Sequence, residues 1–134
     1  MAIDISGELA LLEGTTDALL RNATAVRLAQ TQRPEVLAAL LRLIGRPELV
    51  DCRATLVKCL GFYNCVQFFE LLIELVAYGN WEVAHEAHAL LKSIEQLRGG
   101  AVERAFTLIE YFLQRDSVDK WRNELLQDLF LSFE

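Results

Sequence analysis

Three stretches of this chain repeat one another at a fixed spacing. LVDCRATLVKCL at 49–60 falls on VAHEAHALLKSI at 83–94 with a shift of 34, and that stretch falls on VDKWRNELLQDL at 118–129 with a further shift of 35. Leu56, Leu90 and Leu125 then share one position, Val57, Leu91 and Leu126 a second, and Leu60, Ile94 and Leu129 a third. A weaker echo, NATAVR at 22–27, lies 31 residues before RATLVK at 53–58. A period of this length holds two helices and a turn. One such pair cannot bury its own apolar face, so pairs must stack to make a core.

The punctuation between the repeats agrees with helix pairs. Leu and Ala dominate the apolar residues, and only two prolines and seven glycines interrupt 134 residues. Ala and Leu lose little freedom in a helix, and period-two strand patterns are missing. Pro34 opens a helix that Gly45 closes, and Pro47 opens another to about Leu60. Helices are expected at 64–78, at 81–97 with Asn80 as cap and Gly99-Gly100 as stop, at 101–115, and at 118–132 after an Asp116-Ser117 cap. Upstream, two short helices divided at Gly14-Thr15-Thr16 and one long helix through Gly14 both fit. The expectation is an all-α fold of seven to eight helices in about four hairpins. It forms a single repeat domain over 1–134, with repeats near 3–31, 34–61, 64–98 and 101–133. Beside the repeated stripe, the expected core holds Leu37, Leu40, Leu41, Ile44, Phe69, Leu72, Ile73, Val76, Phe106, Ile109 and Leu113.

The second-helix pattern joins a polar cap, an Arg-Ala or Glu-Ala pair and then Leu-Leu or Leu-Val. It reads DCRATLVKCLG at 51–61 and EAHALLKSI at 86–94. This resembles HEAT and armadillo-type repeats over roughly residues 15–133. The resemblance implies a short HEAT-like α-solenoid whose second helices line a concave face. It specifies architecture, not activity.

Charge is unevenly placed. Residues 1–67 carry seven acids and seven bases, whereas residues 68–134 carry twelve acids and six bases, which accounts for the whole net charge of −6. Phosphate affinity comes from Lys and Arg, so this balance argues against a nucleic-acid partner and for a basic protein. The start, MAIDISGELA, lacks the basic and long apolar regions of a signal peptide, and no stretch is apolar enough to span a membrane. A cytoplasmic product is expected. Cys52, Cys59 and Cys65 have neither zinc spacing nor clustered histidines, and are expected as thiols packed in a reducing compartment. Cys52 and Cys59 are expected on one helix face.

The richest cluster opens the second helix of the third pair: Trp81, Glu82, His85, Glu86 and His88. Trp81, His85 and His88 share a face at i, i+4 and i+7. The equivalent helix starts offer Glu48 and Asp51 in one pair and Asp116, Asp119 and Trp121 in another. Together they would form an acidic ladder carrying two tryptophans, and Trp is a frequent anchor at binding hot spots. The alternative is that both rings pack between repeats and the acids are a solvated face. Phe62-Tyr63 is expected to pack at its turn. The two histidines are at i and i+3, not the i and i+4 of zinc proteases. No phosphate loop, GxSxG elbow or activated Cys-His pair is present, so no catalytic residue, cofactor or metal is expected and the chain does not read as an enzyme.

A stand-alone acidic solenoid of this size also resembles immunity proteins of bacterial contact-dependent growth inhibition (polymorphic toxin) systems. That resemblance implies an inhibitor that binds one cognate toxin domain, often a nuclease, as a monomer in a 1:1 complex. The alternative is an adaptor or scaffold subunit that reads a peptide or helix in its groove.

Overall fold

The computed structural model describes residues 4–115 and 119–133. It is all-helical, with eight α-helices and no strand among the described residues. The chain divides into two compact units, Met1–Asn64 and Cys65–Glu134.

The first unit holds α1 (Ile5–Gly14), α2 (Ala18–Ala29), α3 (Pro34–Ile44) and α4 (Ala54–Cys59). Its beginning is two helices, not one. Asp4 caps α1 by accepting from the Gly7 N–H, and Asp17 caps α2 by accepting from Leu19 and Leu20 N–H groups, with extended backbone at Thr15 between them. First helix packs on first helix and second on second, α1 against α3 and α2 against α4, while α1–α2 and α3–α4 form the hairpins. Leu12, Leu28, Leu40, Leu43, Ile44, Leu56 and Leu60 fill the core between them. Tyr63 donates to the Arg33 carbonyl at 3.0 Å, and Gln32 to that of Phe62 at 3.0 Å, so Tyr63 is tied into the turn, whereas Phe62 is exposed and does not pack as expected.

One expected helix of this unit is broken. Pro47 opens only a 3-10 turn, Pro47–Leu49, and α4 does not begin until Ala54. Leu49 is buried, and Arg53 reaches back to donate to the Ile44 carbonyl at 2.8 Å. That guanidinium satisfies the end of α3, an orphan carbonyl that a continuous helix would leave open. Val50, Asp51 and Cys52 are poor helix formers and do not oppose the break. Cys52 therefore lies outside the helix and is exposed, not on one face with buried Cys59.

The second unit begins with a 3-10 turn, Cys65–Phe68, and continues as α5 (Phe69–Tyr78), α6 (Trp81–Lys92), α7 (Gly100–Leu113) and α8 (Lys120–Ser132). Asp116 and Ser117, the expected cap of α8, lie outside the described residues. Here α5 packs on α7 and α6 on α8, with α5–α6 and α7–α8 as hairpins. Leu72, Ile73, Leu91, Ile109, Leu126 and Leu129 are fully buried or nearly so. The repeated stripe is buried at its second position in all three copies, whereas Leu90, Leu125 and Ile94 are only half-buried. Phe106 is half-buried and meets Phe130 edge-on at 5.1 Å.

α5 starts at Phe69 and not at 64, and two later boundaries also differ from expectation. α6 ends at Lys92, where Ser93 Oγ donates back to the Leu90 carbonyl, instead of running to Leu97. A serine that bonds the preceding turn competes with continued helix. Gly99-Gly100 does not stop α6 but starts α7, with Gly99 at φ +54. Gly79 is needed for a different reason. A Cβ there would lie 2.5 Å from the Leu75 carbonyl and 2.6 Å from Val83 Cγ1, so only glycine lets α5 and α6 approach this closely.

Candidate functional site: an aromatic end on the second unit

The stacking of the second unit brings four helix termini to one end. The C-termini of α5 and α7 lie together, since Tyr78 meets Phe112 at 5.3 Å. The N-termini of α6 and α8 lie together, since His85 meets Trp121 at 5.6 Å. Arg122 joins the two pairs. Its Nη1 donates to the carbonyls of Val76 and Gly79, both at 2.8 Å, and its Nε and Nη2 hold Asp119 Oδ2 at 3.2 and 3.1 Å. Its side chain is only 13% exposed. A cation at the C-terminus of α5 also suits the negative end of that helix.

Around this tie the aromatic rings stack. Asn80 caps α6 by accepting from the Val83 N–H at 2.9 Å, which starts the helix at Trp81. His85 lies one turn on, stacked on Trp81 with centroids 3.9 Å apart, and its Nδ1 donates to the Trp81 carbonyl at 2.8 Å. The Trp121 ring follows, with the Arg122 guanidinium 4.5 Å from its centre. Trp81 nevertheless remains 55% exposed, while Trp121 is half-buried. Of the two arrangements open from sequence, Trp81 takes the surface one and Trp121 stands between.

Not every expected site residue belongs to this group. Glu82 is exposed and Glu86 half-buried, on the next row of α6, and neither makes an ion pair among the described residues. Asp119 is held by Arg122, and Asp116 lies outside the described residues. Glu48 and Asp51 are exposed in the first unit, on the 3-10 turn and the bend after it, not at a helix start. His88 lies about two turns along α6 from Trp81, away from the aromatic end. Its Nε2 lies 2.8 Å from Asp128 Oδ2 on α8. Seven residues return to almost the same side of the helix, so His88, like His85, faces α8, but further along.

The His88 contact is part of a cluster with suggestive chemistry. Lys92 Nζ sits 3.1 Å from the same Asp128 oxygen and donates to Ser132 Oγ at 2.7 Å, and Ser132 donates to the Asp128 carbonyl at 2.8 Å. The hydrogen bond from His88, and then that from Lys92, hold the Asp128 carboxyl below its ordinary range. The serine spends its own proton on the backbone. The cluster therefore clamps α6 to α8 and does not generate a nucleophile. The two buried thiols are equally inert, since burial pushes Cys59 up to about 11 and also raises Cys65. Among the described residues no three His, Cys, Asp or Glu side chains are placed to hold a metal ion. Among them too, no helix is long and apolar enough to cross a membrane.

Sequence reasoning missed the other half of the aromatic end. Tyr78 and Tyr111 are each 58% exposed, and Arg115 lies 4.5 Å over the Tyr78 ring and 5.5 Å from that of Phe112. The signal was present in the repeat, because the shift of 34 that matches the second helices also carries Tyr78 onto Phe112. Along the same two helices runs an open groove of about 750 Å³, lined by Glu70, Glu103, Arg104, Thr107, Leu108 and Tyr111. Arg104 bridges to Glu70 at 3.0 Å across its floor.

Comparison of the chain with protein-family models, with curated proteins and with solved structures finds no match in any of the three.

Proposed function

We propose that this protein is a stoichiometric inhibitor that binds another protein through the aromatic end of its second unit. In its most concrete form it is an immunity protein that covers the nucleic-acid surface of a cognate nuclease toxin. One observation carries the reading. Trp81, Tyr78 and Tyr111 stand exposed at one end of a unit with net charge −6, beside Arg122 and Arg115. Trp, Tyr and Arg dominate binding hot spots, and rigid rings lose little entropy when a partner covers them. A cationic nuclease surface is the electrostatic complement of such a unit. The packing of first helix on first helix and second on second supports the HEAT-like repeat reading.

The test joins binding to rescue. The protein is co-produced with any secreted toxin domain found to be encoded beside it, and growth and complex formation are followed. Charge reversal at Glu82 and Glu86 should slow association by about tenfold or more at low salt. Trp81→Ala should mainly speed dissociation. Association that ignores salt and both changes sinks the acidic aromatic surface. Failure to rescue growth sinks the immunity form.

The α5–α7 groove favours a second reading, an adaptor that seats a partner helix there. Substitution of Thr107 and Leu108 by Arg would then abolish binding while Trp81→Ala would not.

A further inference from the structure

The aromatic stack is closed at one ring and open at another. Trp121 already holds a guanidinium, that of Arg122 at 4.5 Å. Trp81 has one face on His85 at 3.9 Å, yet 55% of the residue is exposed. With that face stacked, the opposite face and the outer edge of the indole are what remain for a partner. Among the described residues no guanidinium or ammonium lies over the Trp81 ring. Two cations of this end are committed, Arg122 to Val76, Gly79 and Asp119, and Arg115 to Tyr78. On the next row of α6, Glu82 and Glu86 stand one turn apart, without ion pairs among the described residues.

We propose that the open face of Trp81 receives an arginine side chain of the protein partner. The guanidinium would lie flat on the indole, with its edge N–H groups donating to Glu82 or Glu86. A Trp face is the best aromatic acceptor for a cation, and an acidic neighbour adds Coulomb attraction. Arginine fits better than lysine. Its cation is planar, weakly hydrated and forked, so it can stack on a ring and bond a carboxylate at once. Met and Leu anchors would fill an apolar pocket, but this ring offers a face bordered by charge. The inference rests on the reading of this end as a partner surface, and it adds the chemistry of the contact.

The experiment uses the full chain and two probes, acetyl-Gly-Arg-Gly-amide and the same peptide with neutral citrulline in place of arginine. Each is titrated to roughly 50 mM while the indole N–H signals of Trp81 and Trp121 are followed by NMR, a range suited to millimolar affinity. The arginine peptide should move the Trp81 signal, with the citrulline peptide at least about threefold weaker. Trp81→Phe should keep the preference, read through His85, and Trp81→Leu should lose it. Glu82→Gln with Glu86→Gln should weaken arginine binding about threefold or more. Equal response to both peptides, or arginine binding that survives Trp81→Leu, overturns the inference. So does a cognate partner that binds Trp81→Leu undiminished, an outcome that leaves the protein-binding reading standing.

Discussion

The two units share a stacking plan but use their charges in opposite ways. In the first, the acids and bases are largely occupied by one another and by the backbone. Glu8 pairs with Arg27, Glu13 with Arg42 and Glu35 with Arg33, while Asp4 and Asp17 cap helices. Arg21, Arg46 and Arg53 donate to the carbonyls of Thr15, Glu13 and Ile44. In the second unit the acids outnumber the bases two to one, and Glu74, Glu82, Glu86, Glu95, Glu103 and Glu124 make no ion pair among the described residues. Exposed ion pairs contribute little to stability, so neither pattern decides the fold. What differs is the field presented to other molecules: near neutral on one unit, strongly negative on the other, with an aromatic end attached.

The largest effects should be the same in both units, because the cores are alike. Leu40→Ala in the first and Leu91→Ala in the second each empty a fully buried site. Each should lower the unfolding free energy by about 2–5 kcal/mol in urea titrations. A loss below about 1 kcal/mol at either site would mean that its unit contributes little to the cooperative structure.

A smaller effect separates structural arginines from surface ones. Arg122→Met strands two carbonyls and should cost about 1–3 kcal/mol. Arg42→Met breaks only an exposed pair and should cost no more than about 1 kcal/mol. Equal costs would remove Arg122 as the tie of the aromatic end.

The clamp between α6 and α8 should show in acid. The Asp128 carboxyl is held below its ordinary value of 3.8, so its contribution is present above that pH and is lost as pH falls below it through the folded value. Asp128 is exposed enough that the effect stays within about 1 kcal/mol. Asp128→Asn should lower the melting temperature slightly at neutral pH, and the difference should shrink below pH 3.8. A difference that persists in strong acid would point to packing instead. The smallest effect is on thiol chemistry. Cys52 should react with a disulfide reagent in the native protein, whereas the raised, buried Cys59 and Cys65 should react only on unfolding. Native labelling of Cys59 would mean that the first unit opens readily.

Fold class was legible because the repeat and the proline and glycine punctuation act locally and agree. The Asp17 and Asn80 caps and the stripe through Val57, Leu91 and Leu126 are of this kind. The misses are tertiary. The break after Pro47 depends on Arg53 bonding the end of a neighbouring helix, and the early end of α6 depends on Ser93 turning back. Of the candidate site, Trp81, His85 and Trp121 were found and are brought together. His88 shares the α8-facing side of α6 with His85, but its bond to Asp128, 40 residues away in sequence, draws it into the clamp and out of the aromatic end.

The connection at 94–98 offers a practical handle. It lies at the far end of α6 from Trp81, and a helix of 12 residues separates the two by roughly 17 Å. Arg98 and Gly99 are exposed, and Gly99, at φ +54, is kept as glycine. Exposed tips of this sort tolerate added sequence. A dye, an affinity tag or a whole reporter domain grafted there would ride on the protein without shadowing its aromatic end, so the same molecule could be tethered and still meet its partner.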